Sequence, residues 1–237
     1  MRAAMAAVDA VVVGEAADRC RRQDLDQDDV LGMFLRAHDD EGNPMPDSEI
    51  CDAMHTLLLG GHETTASTLT WLLERITRHP EELKRLESAV LDGDDDYVDA
   101  VIKEAMRLRP VFPITGRLAS EDFELNDVMV PSGTLIVPHI PLVHRRADLY
   151  PDPLEFRPQR FLDGRAGANS WIPFGGAPRR CIGAAFSLME MRIVLQTMFR
   201  HARLRPTDRR AERVARHTVT IAAARGGIVT LDRREAA

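Results

Sequence analysis

From Asp47 to His79 the chain runs without a proline, and apolar side chains recur at helical spacing through Ile50, Met54, Leu57, Leu58, Leu69, Leu72, Leu73 and Ile76. This is the longest helical stretch in the sequence, with Asp47 or Ser48 as a cap and "RHP" before Pro80 as its stop. Its middle reads "GGHETT", Gly60 to Thr65. Glycine inside a helix costs roughly 0.8 to 1 kcal/mol relative to alanine, so two in a row need a reason. One reason is a close helix crossing, with the threonines bonding back to carbonyls one turn earlier. The other is that a flat ligand lies against the helix while Glu63 and Thr64 handle protons.

Around this element the pattern is helical up to Pro110. "MRAAMAAVDAVVVGEAADRCRR" reads as an amphipathic helix, because Asp9, Glu15 and Asp18 interrupt it well short of the ~20 apolar residues of a membrane span. A second helix starts at Asp28 or Asp29 and turns at Gly42, a further one opens on Pro80 and ends near "LDGDDD", and "YVDAVIKEAMRLRP" ends before Pro110. Glu104 and Arg107 stand three apart on that last helix, where a solvated pair would contribute at most ~1 kcal/mol.

Beyond Pro110 short apolar runs are broken by proline and glycine. "FELNDVMVPSGTLIVPH" predicts two or three short strands with turns at Asn126-Asp127 and Pro131-Ser132-Gly133, and "YPDPLEFRPQRF" predicts a meandering coil. "AAFSLMEMRIVLQTMFRHARL" predicts a strong apolar helix, and "TVTIAAARGGIVTL" a terminal hairpin. The formal charge of -6 gives no global attraction to nucleic acid or anionic lipid. Cys20, Cys51 and Cys181 are odd in number and widely spaced, which disfavours a disulfide framework and a four-cysteine zinc site and fits a reducing cytoplasm.

One of these cysteines has an unusual setting. In "WIPFGGAPRRCIG", Trp171 to Gly183, Cys181 follows Arg179 and Arg180 and precedes an apolar helix predicted to begin near it. Adjacent cations and helix N–H groups would stabilise a thiolate there, as suits a metal ligand or a nucleophile. A single thiolate is a known axial ligand of haem iron.

"FGGAPRRCIG" resembles the haem-binding signature of the cytochrome P450 family, with Phe174 seven before the ligand, Arg179 two before and Gly183 two after. Ala177 stands where the family usually has glycine. "GGHETT" is similar to the family's oxygen-activation motif, "KEAMR" to its Glu-x-x-Arg helix, and "FRPQRF" to the meander whose arginine joins that pair, with Gln159 where an acid is common. The resemblance implies that Glu104, Arg107 and Arg160 form a buried network. It further implies haem b bound by Cys181 within a loop that includes Phe174, Gly175 and Gly183. Gly60 and Gly61 would leave room for the ring, Arg117 (in "GRLASEDFEL") and Arg179 would meet the haem propionates, and Glu63 with Thr64 would be catalytic.

The implied fold is mainly α with small antiparallel β sheets, the C-terminal portion of a cytochrome P450 fold. It forms a single haem domain over 1–237, with leading helices at 1–46, the long oxygen-activation helix and following helices at 47–109, small strands and meander at 110–165, and the cysteine loop, last long helix and terminal hairpin at 166–237. The implied function is a bacterial haem-thiolate monooxygenase that inserts one oxygen atom of O2 into a C–H bond of a small apolar substrate. Electrons would come from a ferredoxin or flavoprotein reductase and ultimately NAD(P)H, with no nucleic acid and no membrane anchor in this chain. A second expectation, of another class, is a truncated, catalytically inactive fragment without stable haem binding, since family members carry further helices before the position of Met1. A zinc hydrolase is excluded, because "HETTA" has Ala66 where the second histidine of HExxH would stand.

Overall fold

The structure, a computed structural model, describes residues 2–162, 164, 167, 169–207, 210–217 and 219–234. The elements in chain order are α1 (Arg2–Arg22), α2 (Val30–Leu35), α3 (Asp47–Thr77), α4 (Pro80–Asp92) and α5 (Asp95–Leu108), then β1 (Arg117–Leu118), β2 (Phe123–Leu125), β3 (Val128–Val130) and β4 (Leu135–Ile136). They continue with α6 (Ile140–His144), α7 (Ala184–His201), β5 (Ala202–Pro206), β6 (Val214–His217), β7 (Thr220–Ala223) and β8 (Val229–Arg233). Among the described residues the strands form two-stranded antiparallel sheets only, so the fold is mainly α with small antiparallel sheets, as expected.

The chain divides into two compact units, one ending at Glu63 and one starting at Thr64. In the first, Val12 and Ala16 of α1 are buried with Leu31 of α2 and with Ile50 and Cys51 of α3. Asp29 caps α2 by accepting a bond from the Gly32 N–H, and Arg19 of α1 donates to the same carboxylate at 2.8 Å. One aspartate therefore serves both the orphan donors of α2 and the attachment of α1.

In the second unit α5 is the hub. It is buried on nearly every side, with Tyr97, Val98, Val101 and Ile102 sealed against Leu72 and Ile76 of α3, Leu86 of α4, and Met191, Leu195 and Phe199 of α7. A helix sealed all round holds a polar side chain only if that side chain is fully hydrogen-bonded, a condition that governs Glu104 and Arg107 below. Helix α4 ends where the sequence places a glycine, Gly93 at φ 76°, whose N–H bonds the Ala89 carbonyl. Asn126 and Asp127 take φ 48° and 62°, the two left-handed residues of the turn that joins β2 to β3.

The expected terminal hairpin is not formed. β7 pairs with β6, Val214 opposite Ala223, and β8 pairs with β5 from Ala202 opposite Arg233 to Pro206 opposite Val229. Thr218, where that hairpin was predicted to begin, lies outside the described residues. Alternation within a strand shows that it pairs without showing with what. Here the turn between β7 and β8 is occupied by Gly227, which is buried against α3. At φ +62°, an added Cβ on Gly227 would stand 2.5 Å from Thr70 Cγ2 and 3.0 Å from the Thr70 carbonyl oxygen. Gly227→Ala is therefore expected to lower the free energy of unfolding by about 1 to 3 kcal/mol, read as a lower urea midpoint. An unchanged midpoint would show that the turn is free to move away from α3.

Candidate functional site

Glu104 and Arg107 project from the last turns of α5 and both side chains are 0% exposed. Arg107 uses all five of its donors. Nε and Nη2 bond the two Glu104 carboxylate oxygens at 2.7 and 2.9 Å, Nη1 bonds the His144 and Pro153 carbonyls at 2.7 Å each, and Nη2 also reaches the Glu155 carbonyl at 3.1 Å. Glu104 Oε1 further accepts from the Arg157 backbone N–H at 2.8 Å and from Arg160 Nε at 3.1 Å. The solvated-pair alternative is thereby corrected: these groups tie residues 151–161, an expected coil that ends in a 3-10 turn at Pro158–Phe161, to the centre of the core. Their charges are tolerated there because every guanidinium proton and both carboxylate oxygens are hydrogen-bonded.

Gln159 lies on the same coil and faces an acid. Its Nε2 donates to both Glu82 oxygens of α4, at 2.9 and 3.0 Å, and Glu82 also accepts from the Tyr97 hydroxyl. An acid at 159 would place two carboxylates together, which explains the amide on physical grounds. Gln159→Glu is expected to reduce stability by about 1 to 2 kcal/mol at pH 7, with the deficit shrinking on acidification as one carboxylate takes a proton. Urea titrations of both proteins at pH 7 and pH 5 measure this, and equal midpoints at pH 7 would refute the pairing.

His144, the last residue of α6, is fully buried. Its Nε2 accepts the Ile172 backbone N–H at 2.9 Å, so the proton resides on Nδ1, which donates to the Arg107 carbonyl at 3.1 Å. Burial lowers this imidazole to about 4, with the Arg107 charge adding to the effect and the bond to the Arg107 carbonyl opposing it. The folded value lies below the unfolded one, so between about pH 6.5 and 4 the unfolded chain binds a proton that the folded chain refuses. Stability is lost as pH falls through that window. Relative to His144→Gln, the wild-type chain is expected to lose about 2 kcal/mol more on going from pH 7 to pH 5. Parallel slopes for the two proteins in denaturant titrations would remove this role. Nothing in the spacing of the eight histidines singled out His144.

The cysteine loop leaves this anchor. The Trp171 indole N–H bonds the Lys103 carbonyl of α5 at 3.1 Å, and the Trp171 ring meets Phe161 and Phe174 edge-on. Gly175 N–H returns to the Ile172 carbonyl, Gly175 takes φ +70°, and Cys181 N–H closes the loop on the Phe174 carbonyl at 2.9 Å. Phe174, half-buried, packs against the main core. Ala177, where glycine was expected from the resemblance, adopts φ 56°, a left-handed conformation that costs an L-residue roughly 1 to 2 kcal/mol. The following helix begins at Ala184 and not at Cys181. The Cys181 carbonyl accepts from the Ala184 N–H at 3.4 Å, so the thiol stands just ahead of the first helical turn.

Cys181 is exposed, and Ile182 (90%) and Phe186 (64%), which follow it in the chain, are exposed as well. At Gly183 an added Cβ would sit at ordinary contact distance, 4.0 Å, from the Cys181 sulfur, and at Gly176 it would meet nothing within 4 Å. Arg179 is exposed, and among the described residues no hydrogen bond or ion pair engages its side chain. Arg117, half-buried on β1, donates to Thr115 Oγ1 at 3.0 Å and to the Gly116 carbonyl at 2.8 Å.

On α3, an added Cβ at Gly60 or Gly61 would meet nothing within 4 Å among the described residues. Among the described residues no close helix crossing meets these two glycines. The back-bonding half of that alternative is present one turn later, where the Thr68 hydroxyl bonds the Thr64 carbonyl at 2.9 Å. His62 and Glu63 are exposed and Thr64 is half-buried. Thr65 turns inward, its hydroxyl 3.4 Å from that of Ser187 on α7.

Comparison with known proteins gives a consistent answer. The sequence profile described as Cytochrome P450 matches residues 9–225. The chain is 43% identical over 212 residues to "Putative cytochrome P450 135B1" of Mycobacterium bovis, covering 86% of this chain and 45% of that protein. It is 38% identical over 220 residues to "Putative cytochrome P450 137" of Mycobacterium tuberculosis, covering 92% and 46%. With "Putative cytochrome P450 138" of M. bovis the identity is 39% over 219 residues, covering 92% and 50%. The chain spans about half the length of these relatives.

Proposed function

The chain belongs to the cytochrome P450 family, and on that premise we propose that it supplies the haem-ligating portion of a haem-thiolate monooxygenase. The observation that carries this reading is the exposed Cys181, held in a loop that its own N–H closes on the Phe174 carbonyl. The residues of the cysteine loop fit the group: one sulfur donor suits axial ligation, exposed Ile182 follows it directly in the chain as an apolar flank, and Gly176 leaves empty the volume that a Cβ would fill.

When bound, haem supplies thiolate-assisted O–O cleavage and transfer of one oxygen atom to a C–H bond, the other leaving as water with two electrons and two protons. The electrons would come from a separate ferredoxin or flavoprotein reductase drawing on NAD(P)H, and the substrate class is a small apolar organic molecule. Cys181 would be the metal ligand, and Phe174, packed against the main core, would anchor its loop. Arg117 and Arg179 would pair with the two propionate carboxylates as planar, permanently charged donors. Glu63 and Thr64 lie next to each other on α3, the acid exposed and the alcohol half-buried, an order suited to carrying a proton inward from solvent. No helix of the described residues is long and apolar enough to cross a membrane.

A second reading, that this chain alone does not hold haem stably, draws on one feature: Phe186, Met189 and Ile193 form an exposed apolar stripe along α7. Titration with haemin, reduction and exposure to CO decides between them. A thiolate-type Soret band supports the monooxygenase reading, and absence of uptake supports the second.

A further inference from the structure

We propose that His144 is the positioning residue of the cysteine loop, coupling it to the Glu104–Arg107 network so that ligand loop and core move as one body. The functional part of this assignment rests on Cys181 being a haem ligand. The coupling itself rests on geometry. Arg107 and His144 clasp each other reciprocally: the Arg107 side chain donates to the His144 carbonyl at 2.7 Å, and the His144 ring donates to the Arg107 carbonyl at 3.1 Å. The ring's other nitrogen takes the Ile172 N–H at 2.9 Å. From there the Ile172 carbonyl accepts from Gly175 N–H, and the Phe174 carbonyl accepts from Cys181 N–H. A short series of hydrogen bonds thus runs from the end of α5 to the backbone of the cysteine, and one imidazole is its link across three separate segments. Tyr150 and Arg107 hold the ring in place, Tyr150 edge-on at 6.4 Å and the Arg107 guanidinium over the Tyr150 face at 5.0 Å.

A histidine that merely fills the core would need one hydrogen bond and could be replaced by any ring of its size. His144 uses both nitrogens in opposite senses, one donating and one accepting, and each partner is a backbone group that has no other role in a helix or strand. Only a neutral imidazole with its proton on Nδ1 satisfies both. The Trp171 indole, bonded to the Lys103 carbonyl, is a second and weaker tether beside it.

The test uses the full chain, first without haem. Hydrogen exchange and the rate of Cys181 alkylation by iodoacetamide are measured in wild type, His144→Phe and His144→Gln, with exposed Cys20 as the internal control. In wild type the Ile172 amide is expected to be protected like an α5 amide. In His144→Phe, exchange at Ile172 to Cys181 is expected to rise about 10- to 100-fold and Cys181 alkylation to accelerate, while Cys20 is unchanged. His144→Gln, whose amide can still accept from Ile172, is expected to recover most of the protection. Unaltered exchange over residues 171–181 in His144→Phe overturns the proposal. Should His144→Phe not fold, an Ile172 amide in wild type that exchanges like an open loop overturns it equally. Haemin titration run alongside separates the two readings. Loop loosening with no uptake by wild type leaves the coupling standing and removes the haem role, whereas uptake with unaltered loop exchange does the reverse.

Discussion

Arg107→Ala is expected to unfold the second unit or leave it barely folded. The substitution removes five hydrogen bonds at once, leaves Oε2 of a carboxylate that is 0% exposed without its partner and only Arg160 to balance the charge, and strands the His144, Pro153 and Glu155 carbonyls. Breaking one partner out of a buried ion pair costs about 3 to 5 kcal/mol, a large part of the roughly 5 to 15 kcal/mol that holds a whole domain together. Lysine is no substitute, because its three donors on one nitrogen cannot reach two carboxylate oxygens and three carbonyls in the plane that a guanidinium spans. An exposed comparison is available in Arg146, which pairs bidentately with Asp148 in solvent. Arg146→Ala is expected to leave the urea midpoint where it was. Circular dichroism across a urea titration reads both variants, and an Arg107→Ala protein with a wild-type midpoint would show that the network does not hold this core.

Cys181→Ala is expected to abolish every spectral sign of thiolate-ligated haem and to leave the haem-free fold untouched. The loop closes through the Cys181 backbone N–H, which alanine retains, and the sulfur is exposed, so little packing is lost. The two other thiols provide the contrast. Cys20 is exposed on α1, and Cys51 is buried in the first unit, where desolvation raises its thiol and nearby Asp9 adds to the effect. The Cys51 setting therefore disfavours a thiolate, and Cys20 lies on a helix of the first unit, outside the loop that resembles the ligand signature. Alanine variants at Cys20 and Cys51 are therefore expected to keep whatever haem spectrum the wild type shows. If Cys181→Ala still gave a thiolate-type CO spectrum, the assignment of the ligand would be wrong.

Much of the second unit was legible because its signals are local. Pro80 and Gly93 bracket α4, Asn126-Asp127 marks the turn between β2 and β3, and Glu104 lies one helical turn from Arg107. The resemblance supplied what spacing could not, that Arg160 would join the pair, and the structure brings its Nε to within 3.1 Å of Glu104. Where partners are distant in sequence the reading failed or was silent. The last strands were expected to pair with each other and instead pair with β5 and β6. Gln159 read as a departure until Glu82, 77 residues away, was found accepting its amide.

The order of amino acids by itself determined where α3 and α4 start and stop, that a long helix carries glycines in its interior, and that one cysteine sits in a tight cationic turn. These follow from backbone sterics and from hydrogen-bonding between near neighbours, which a chain expresses wherever it is placed. The tertiary structure alone decided that Glu104 and Arg107 are buried and hydrogen-bonded and not a surface pair, and that His144 bridges α5 to the cysteine loop. Each of these depends on which distant groups are brought together and on how much water is excluded, and burial of that kind is a property of the packed whole.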